Sequence, residues 1–259
     1  MRRSSLLAVP LRQPADVAPH LGKPTHWKQG RSAKALADAW FAANGIRPAV
    51  RDVIATSDYL AGAEFLDGWL ERETDLRDGR ATPSQTDLLG LIGGGDKLGV
   101  LGVEAKVDES FGPLVSEWLK DAGSGKLQRL RHLCTLLNLE PDRIGSLRYQ
   151  LLHRTAATLL EARRFLTDIA VLIVQSFCAQ ATGFKDCVAF FESIGMPGSA
   201  AGELIGARRF GTVDLWVGWA SDTPIPDKNR WEDSFAEVGV DLPRDQPHAV
   251  GAEMTVVSA

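Results

Sequence analysis

Residues 84–107 read SQTDLLGLIGGGDKLGVLGVEAKV, and the pairing of this stretch with itself decides the fold. Residues 88–92 are one apolar run and 99–107 a second strand-like one, with the turn residues 93–97 between them. Gly95 and Asp96 have the chemistry of a tight turn, so the two runs predict an antiparallel hairpin. Side chains alternate along a strand, which puts Leu101, Val103, Ala105 and Val107 on one face and Gly102, Glu104 and Lys106 on the other. A turn centred on Gly95 and Asp96 sets Asp87 across the ladder from Glu104, within reach of a cross-strand contact. Two carboxylates and one ammonium then share one place on a sheet that is otherwise apolar.

Outward from the hairpin, the chain predicts a layered α/β protein. Upstream, residues 1–30 carry Pro, Gly and His without a period and read as an irregular arm. SAKALADAWFAANG predicts a helix capped by Ser32 and stopped by Gly45, and PAVRDVIATS a second. YLAGAEFLDGWLER predicts a third helix, burying Phe65, Leu66, Trp69 and Leu70, with Glu64 near its polar edge. Downstream, DESFGPLVSEWL and KLQRLRHLCTLLNL predict helices, and IGSLRYQLLHRTAATLLEARRFL the longest helix. IAVLIVQSF reads as a strand buried on both faces, FKDCVAFFESIG as a helix and TVDLWVGWA as a last strand, with Trp216 and Trp219 in the core. GGGDK leads into a strand and not a helix, which argues against a nucleotide-binding loop. The organisation expected is an arm and helices over 1–58, a core over 59–222 and a polar tail over 223–259.

Composition bounds the function. The 259 residues are 44% hydrophobic and 24% charged, with seven Trp and ten Phe, enough for a full core. A net charge of -4 does not mark the whole molecule for a polyanion, although residues 120–164 are locally basic. That segment is open to phosphate contact or to the plainer reading of solvated helix faces. Three scattered cysteines form no CxxC pair and suit free thiols in a reducing cytoplasm. No stretch has the length of a membrane span, so no membrane partner is expected. No feature specifies an oligomeric state.

The order of acid, Asp, then Glu-x-Lys on the next strand resembles the PD-(D/E)XK nuclease superfamily, at Glu64, Asp87 and Glu104-Ala-Lys106. The sequence departs from the pattern at Thr86, which stands where Pro is usual, and Glu71 and Glu73 compete with Glu64 for the first acid. The blocks THWKQGRSAKALADAW, SQTDLL, VEAKVDESFG and RYQLLHRTAATLLEARRF also resemble an uncharacterised bacterial family that carries no established activity. The nuclease resemblance implies a restriction-endonuclease-like core, a mixed sheet with an antiparallel hairpin flanked by helices. It further implies a nuclease-like phosphodiesterase acting on nucleic acid, DNA ahead of RNA, with Mg²⁺ or Mn²⁺ held by Asp87, Glu104 and the Ala105 carbonyl. Glu64, Lys106 and Gln150 complete the expected catalytic set, and Arg148, His153 and Arg154 the substrate-binding one. Each residue has a structural alternative. Glu104 and Lys106 are also what an ion pair on a sheet needs, Asp87 suits a turn cap, and RYQLLHRT suits a block that fastens the long helix. The competing function is a non-catalytic interaction module on the same scaffold, and a phosphohydrolase acting on nucleotides is a third.

Overall fold

A computed structural model describes residues 10–21, 27–80, 82–198 and 201–225. The expected polar tail lies outside the described residues beyond 225. Among the described residues, six α-helices and six strands follow a short 3-10 turn at Pro14–His20. They run α1 (Ser32–Ala43), α2 (Pro48–Ile54), β1 (Glu64–Thr74), β2 (Ser84–Gly94), β3 (Lys97–Lys106), α3 (Val115–Trp118), α4 (Ser124–Leu137), α5 (Tyr149–Arg164), β4 (Ile169–Ser176), α6 (Phe184–Ser193), β5 (Leu204–Phe210) and β6 (Val213–Ser221). The strands form one mixed sheet in the order β1-β2-β3-β4-β6-β5. β1, β2 and β3 make an antiparallel meander, β3, β4 and β6 run parallel, and β5 closes the far edge antiparallel to β6.

The sheet is buried on both faces, as the apolar runs of its central strands require. On one face Leu88, Leu101, Val103, Val171 and Ile173 pack against Leu36 and Trp40 of α1 and Val50 and Val53 of α2. On the other, Leu89, Val100, Leu172, Val174 and Trp219 meet α4, α5 and α6. The hairpin has the expected two-residue turn: Gly94 pairs with Lys97, and Gly95 takes the φ of 62° that such a turn demands. Among the described residues, no helix is long and apolar enough to cross a membrane.

The helix expected over YLAGAEFLDGWLER is instead β1, preceded by a turn. Phe65, Leu66, Trp69 and Leu70 have spacings that suit a helix. A register shift between Phe65 and Asp67 breaks the strand's period of two and hides it. Gly68 and Gly90 leave room for the Phe65 ring to lie flat on the sheet. Glu64 therefore starts an edge strand, and Leu66 stays 57% exposed. β5 has no counterpart in the sequence expectations, because its Arg208, Arg209 and Gly206 carry no alternating pattern. At α1, Arg31 takes the cap position in place of Ser32, and Asn44, in the left-handed region, ends the helix ahead of Gly45.

α5 lies so close to β3 that a Cβ on Gly102 would overlap Thr158 Oγ1 and come within 3.2 Å of Thr158 Cγ2. The same hydroxyl donates to the Arg154 carbonyl at 3.0 Å, so it has little freedom to move aside. Gly102→Ala is expected to cost about 1–3 kcal/mol by overpacking. Gly62→Ala, at a site with open space around it among the described residues, should be near neutral. Urea denaturation of the two variants measures the difference.

Candidate active site at a fork in the sheet

The ladder between β2 and β3 ends at Leu88 and Val103. Beyond that pair β2 stays with β1 as far as Ser84, while β3 stays with β4 as far as Lys106. The sheet therefore forks, and Asp87 stands at the point of parting. Its Oδ2 accepts from the Ala105 N–H at 2.8 Å, a side chain taking the place of the lost ladder bond. The Lys106 carbonyl accepts from Phe177 N–H at 2.7 Å, on the β4 side. By strand alternation the Ala105 carbonyl then faces into the fork, beside Asp87.

Glu104 is the hub. It is 1% exposed, on the face that α5 covers. Its Oε1 accepts from Lys106 Nζ at 2.9 Å and from Gln150 Nε2 at 2.6 Å, and its Oε2 accepts from Arg154 Nε. Gln150 Oε1 in turn accepts from Lys106 Nζ at 3.0 Å, which leaves the ammonium one donor for the cleft. Gln150 and Arg154 sit four residues apart on α5 and reach the same carboxylate, as residues on one helical face do. Arg154 also lies 3.7 Å from Asp87 Oδ1 and donates to Ser84 Oγ at 3.2 Å. A cleft of about 880 Å³ opens over the fork, and Glu71, Asp87, Glu104, Lys106, Gln150 and Arg154 all line it.

The expected residues are only partly gathered here. Glu64 is exposed and pairs with Gly93, six residues along β2 from Asp87, which is about 20 Å at strand rise. The acid that reaches the cleft from β1 is Glu71, whose φ of 54° is unusual for a non-glycine residue. Glu73 is exposed and pairs with Gln85. Arg148 turns away to Asp186 at 3.0 Å and the Gly112 carbonyl at 2.8 Å, fastening the start of α5 to α6. His153 borders the cleft, but its Nδ1 is bonded to Ser84 Oγ at 2.8 Å. Burial and the Arg154 charge push its pKa well below the usual value, so the ring is neutral and holds β2 in place. The basic segment is partly spent on ion pairs within the protein, while Lys120, Arg131 and Arg143 stay exposed. Arg129 pairs with Asp78, Arg154 with Glu104 and Arg164 with Glu161.

Three acids against two cations leave the cleft floor short of positive charge. Burial, then the charge of Asp87, pushes the Glu71 carboxyl up to about 8. Burial, then the charge of Glu104, pushes Asp87 up to about 7. Burial also opposes the Glu104 charge, but Arg154 and Lys106 outweigh it and hold that carboxyl below its ordinary range. Among the described residues, no three His, Cys, Asp or Glu side chains form a ready ligand cage. The donors do fit a hard cation that keeps several waters. Asp87 Oδ1 accepts no hydrogen bond among the described residues, and the Ala105 carbonyl lies beside it.

The family described as Domain of unknown function (DUF6946) matches residues 10–224, a span that includes every strand and the whole cleft. No curated protein and no solved structure shows a significant match.

Two outcomes follow from the charges. Glu104→Gln leaves Lys106 and Arg154 buried without their anion and is expected to cost about 3–5 kcal/mol, whereas Glu64→Gln should stay within about 0.5 kcal/mol. Denaturant midpoints of the two variants test this. The folded protein also binds more protons than the unfolded chain between about pH 4 and 8, because Glu71 and Asp87 have raised pKa values. Their contribution to stability is therefore lost as pH rises through that window. Glu104, with its lowered value, adds stability that is lost as pH falls below about 4.5. Calorimetry should show Tm falling from pH 6 to 8.5, and Glu71→Gln should flatten that fall. Parallel curves for wild type and Glu71→Gln would contradict the assignment.

Proposed function

We propose, of a chain that belongs to the DUF6946 family, that it is a divalent-metal-dependent phosphodiester hydrolase acting on nucleic acid, with the PD-(D/E)XK-like site at the fork. The observation that carries the reading is the convergence of Asp87, Glu104 and Lys106, from two strands that part at that point, on the floor of one cleft. Gln150 from α5 completes the group. Asp87, Glu104 and the Ala105 carbonyl are the residues that would hold Mg²⁺ or Mn²⁺, which supplies charge neutralisation of the phosphodiester and hydroxide near neutral pH.

The remaining work falls to the protein's own groups. Gln150 and Glu104 fix the Lys106 ammonium, so its free donor points at a set place in the cleft. There it orients an attacking water or meets charge developing on the phosphoryl oxygens, without reorganising at the moment of reaction. Phe111, with its ring centre 4.8 Å from Nζ, shields the ammonium from bulk water. Glu71 lies near enough to Asp87 for their charges to interact, and its raised pKa suits exchanging a proton near neutrality. Arg31, exposed at the cleft mouth, is available to a phosphate backbone.

One observation favours a second reading, a non-catalytic interaction module. Arg154 already bridges Asp87 and Glu104, and a cluster satisfied from within can be structural.

Purified protein is expected to cleave DNA or RNA with Mg²⁺ or Mn²⁺ and to stop in EDTA. Lys106→Ala should lower turnover at least about 100-fold while keeping metal binding, and Asp87→Ala should lose both. If Lys106→Ala lowers only Tm, and wild type takes up metal without cutting either nucleic acid, the second reading replaces the first.

A further inference from the structure

We propose that Arg154 is a built-in counter-cation: its guanidinium holds the position between Asp87 and Glu104 that a divalent cation needs, and a metal binds only by displacing it from Asp87. The inference concerns the same site as the hydrolase reading, but it rests on the placement of one side chain and not on catalysis.

The contacts of Arg154 divide into firm and loose ones. Its Nε is committed to Glu104, and another nitrogen donates to Ser84 Oγ at 3.2 Å. The approach to Asp87 Oδ1, at 3.7 Å, is an ion pair beyond hydrogen-bond length. It is therefore the contact most easily given up. Asp87 also keeps oxygen valence free, since only Oδ2 is bonded, to Ala105 N–H, whereas both oxygens of Glu104 are taken. A dication at Oδ1 and the Ala105 carbonyl would be repelled by a guanidinium left in place. Because Arg154 borders the cleft, it has space to lean outward while keeping Glu104 or Ser84. Lys106 does not compete in this way: its ammonium is bonded to Gln150 and to Oε1 of Glu104, the oxygen Arg154 leaves, and it makes no ion pair with Asp87 among the described residues. The two cations thus carry equal charge but differ in what they block.

That difference makes the test specific. Mn²⁺ alone is titrated into the full chain and followed by electron paramagnetic resonance, with wild type, Arg154→Met and Lys106→Met compared. Arg154→Met should bind Mn²⁺ at least about tenfold more tightly than wild type, and Lys106→Met, which removes the same unit charge, less than about threefold more tightly. Equal tightening in both variants would reduce the effect to net charge and overturn the proposal, as would unchanged or weaker binding by Arg154→Met. Should Arg154→Met not fold, Arg154→Lys keeps a cation for Glu104 but is too short for Asp87, and it should still bind Mn²⁺ more tightly than wild type. No gain there would equally overturn the proposal. If wild type neither binds Mn²⁺ nor cleaves nucleic acid while Arg154→Met binds it, Arg154 blocks the site and the hydrolase reading fails alone. If wild type cleaves and Arg154→Met binds no more tightly, the counter-cation fails alone. If none of the proteins binds Mn²⁺, both fail.

Discussion

Everything at the fork depends on one buried carboxylate. Glu104 cannot sit 1% exposed in an apolar sheet without partners, and an isolated charge there would cost far more than the fold has to spare. Its partners come from its own strand, at Lys106, and from α5, at Gln150 and Arg154. α5 must therefore dock on β3 in one register and at one distance. Gly102 makes that distance possible, and the apolar side of α5, with Leu151, Leu152 and Leu159 fully buried, supplies the packing. Polar placement and hydrophobic docking specify each other. A slip of α5 by one residue would turn Gln150 and Arg154 away and leave Glu104 charged and alone.

The fork has the same logic on the other side. Where the β2–β3 ladder stops, backbone groups lose their partners and must find others. Asp87 takes the Ala105 N–H, while on the intact β4 side the Lys106 carbonyl keeps a backbone partner in Phe177 N–H. A sheet that parts in this way opens a polar cleft at the strand ends without exposing its core. The result concentrates three acids and two fixed cations over an opening large enough for a phosphodiester segment.

The hairpin was legible in the sequence because two independent signals agreed. The period of two gave the faces of Glu104 and Lys106, and the Gly95 and Asp96 turn gave the register that sets Asp87 opposite. Gln150 and Arg154 were legible from their four-residue spacing on a strongly helical segment. Arg148 was not, because it precedes the first helical turn and helical periodicity does not govern it. β1 reads as a helix for a physical reason: its register shift spaces apolar residues as a helix would. That error carried the first acid to Glu64, whereas Glu71 owes its place in the cleft to a left-handed backbone that a non-glycine residue rarely adopts. β5, at the sheet edge and broken by a register shift between Ile205 and Arg208, carries no alternating pattern.

The proposed hydrolase chemistry requires that Asp87 and Glu104 act together on one cation. Crystals of the full chain soaked in Mn²⁺ and measured at the manganese edge address that requirement directly. The account predicts an anomalous peak in the fork, between the carboxylates of Asp87 and Glu104 and beside the Ala105 carbonyl, with Arg154 moved away from Asp87. A fork free of anomalous density, with Arg154 still bridging the two acids at saturating Mn²⁺, would contradict it.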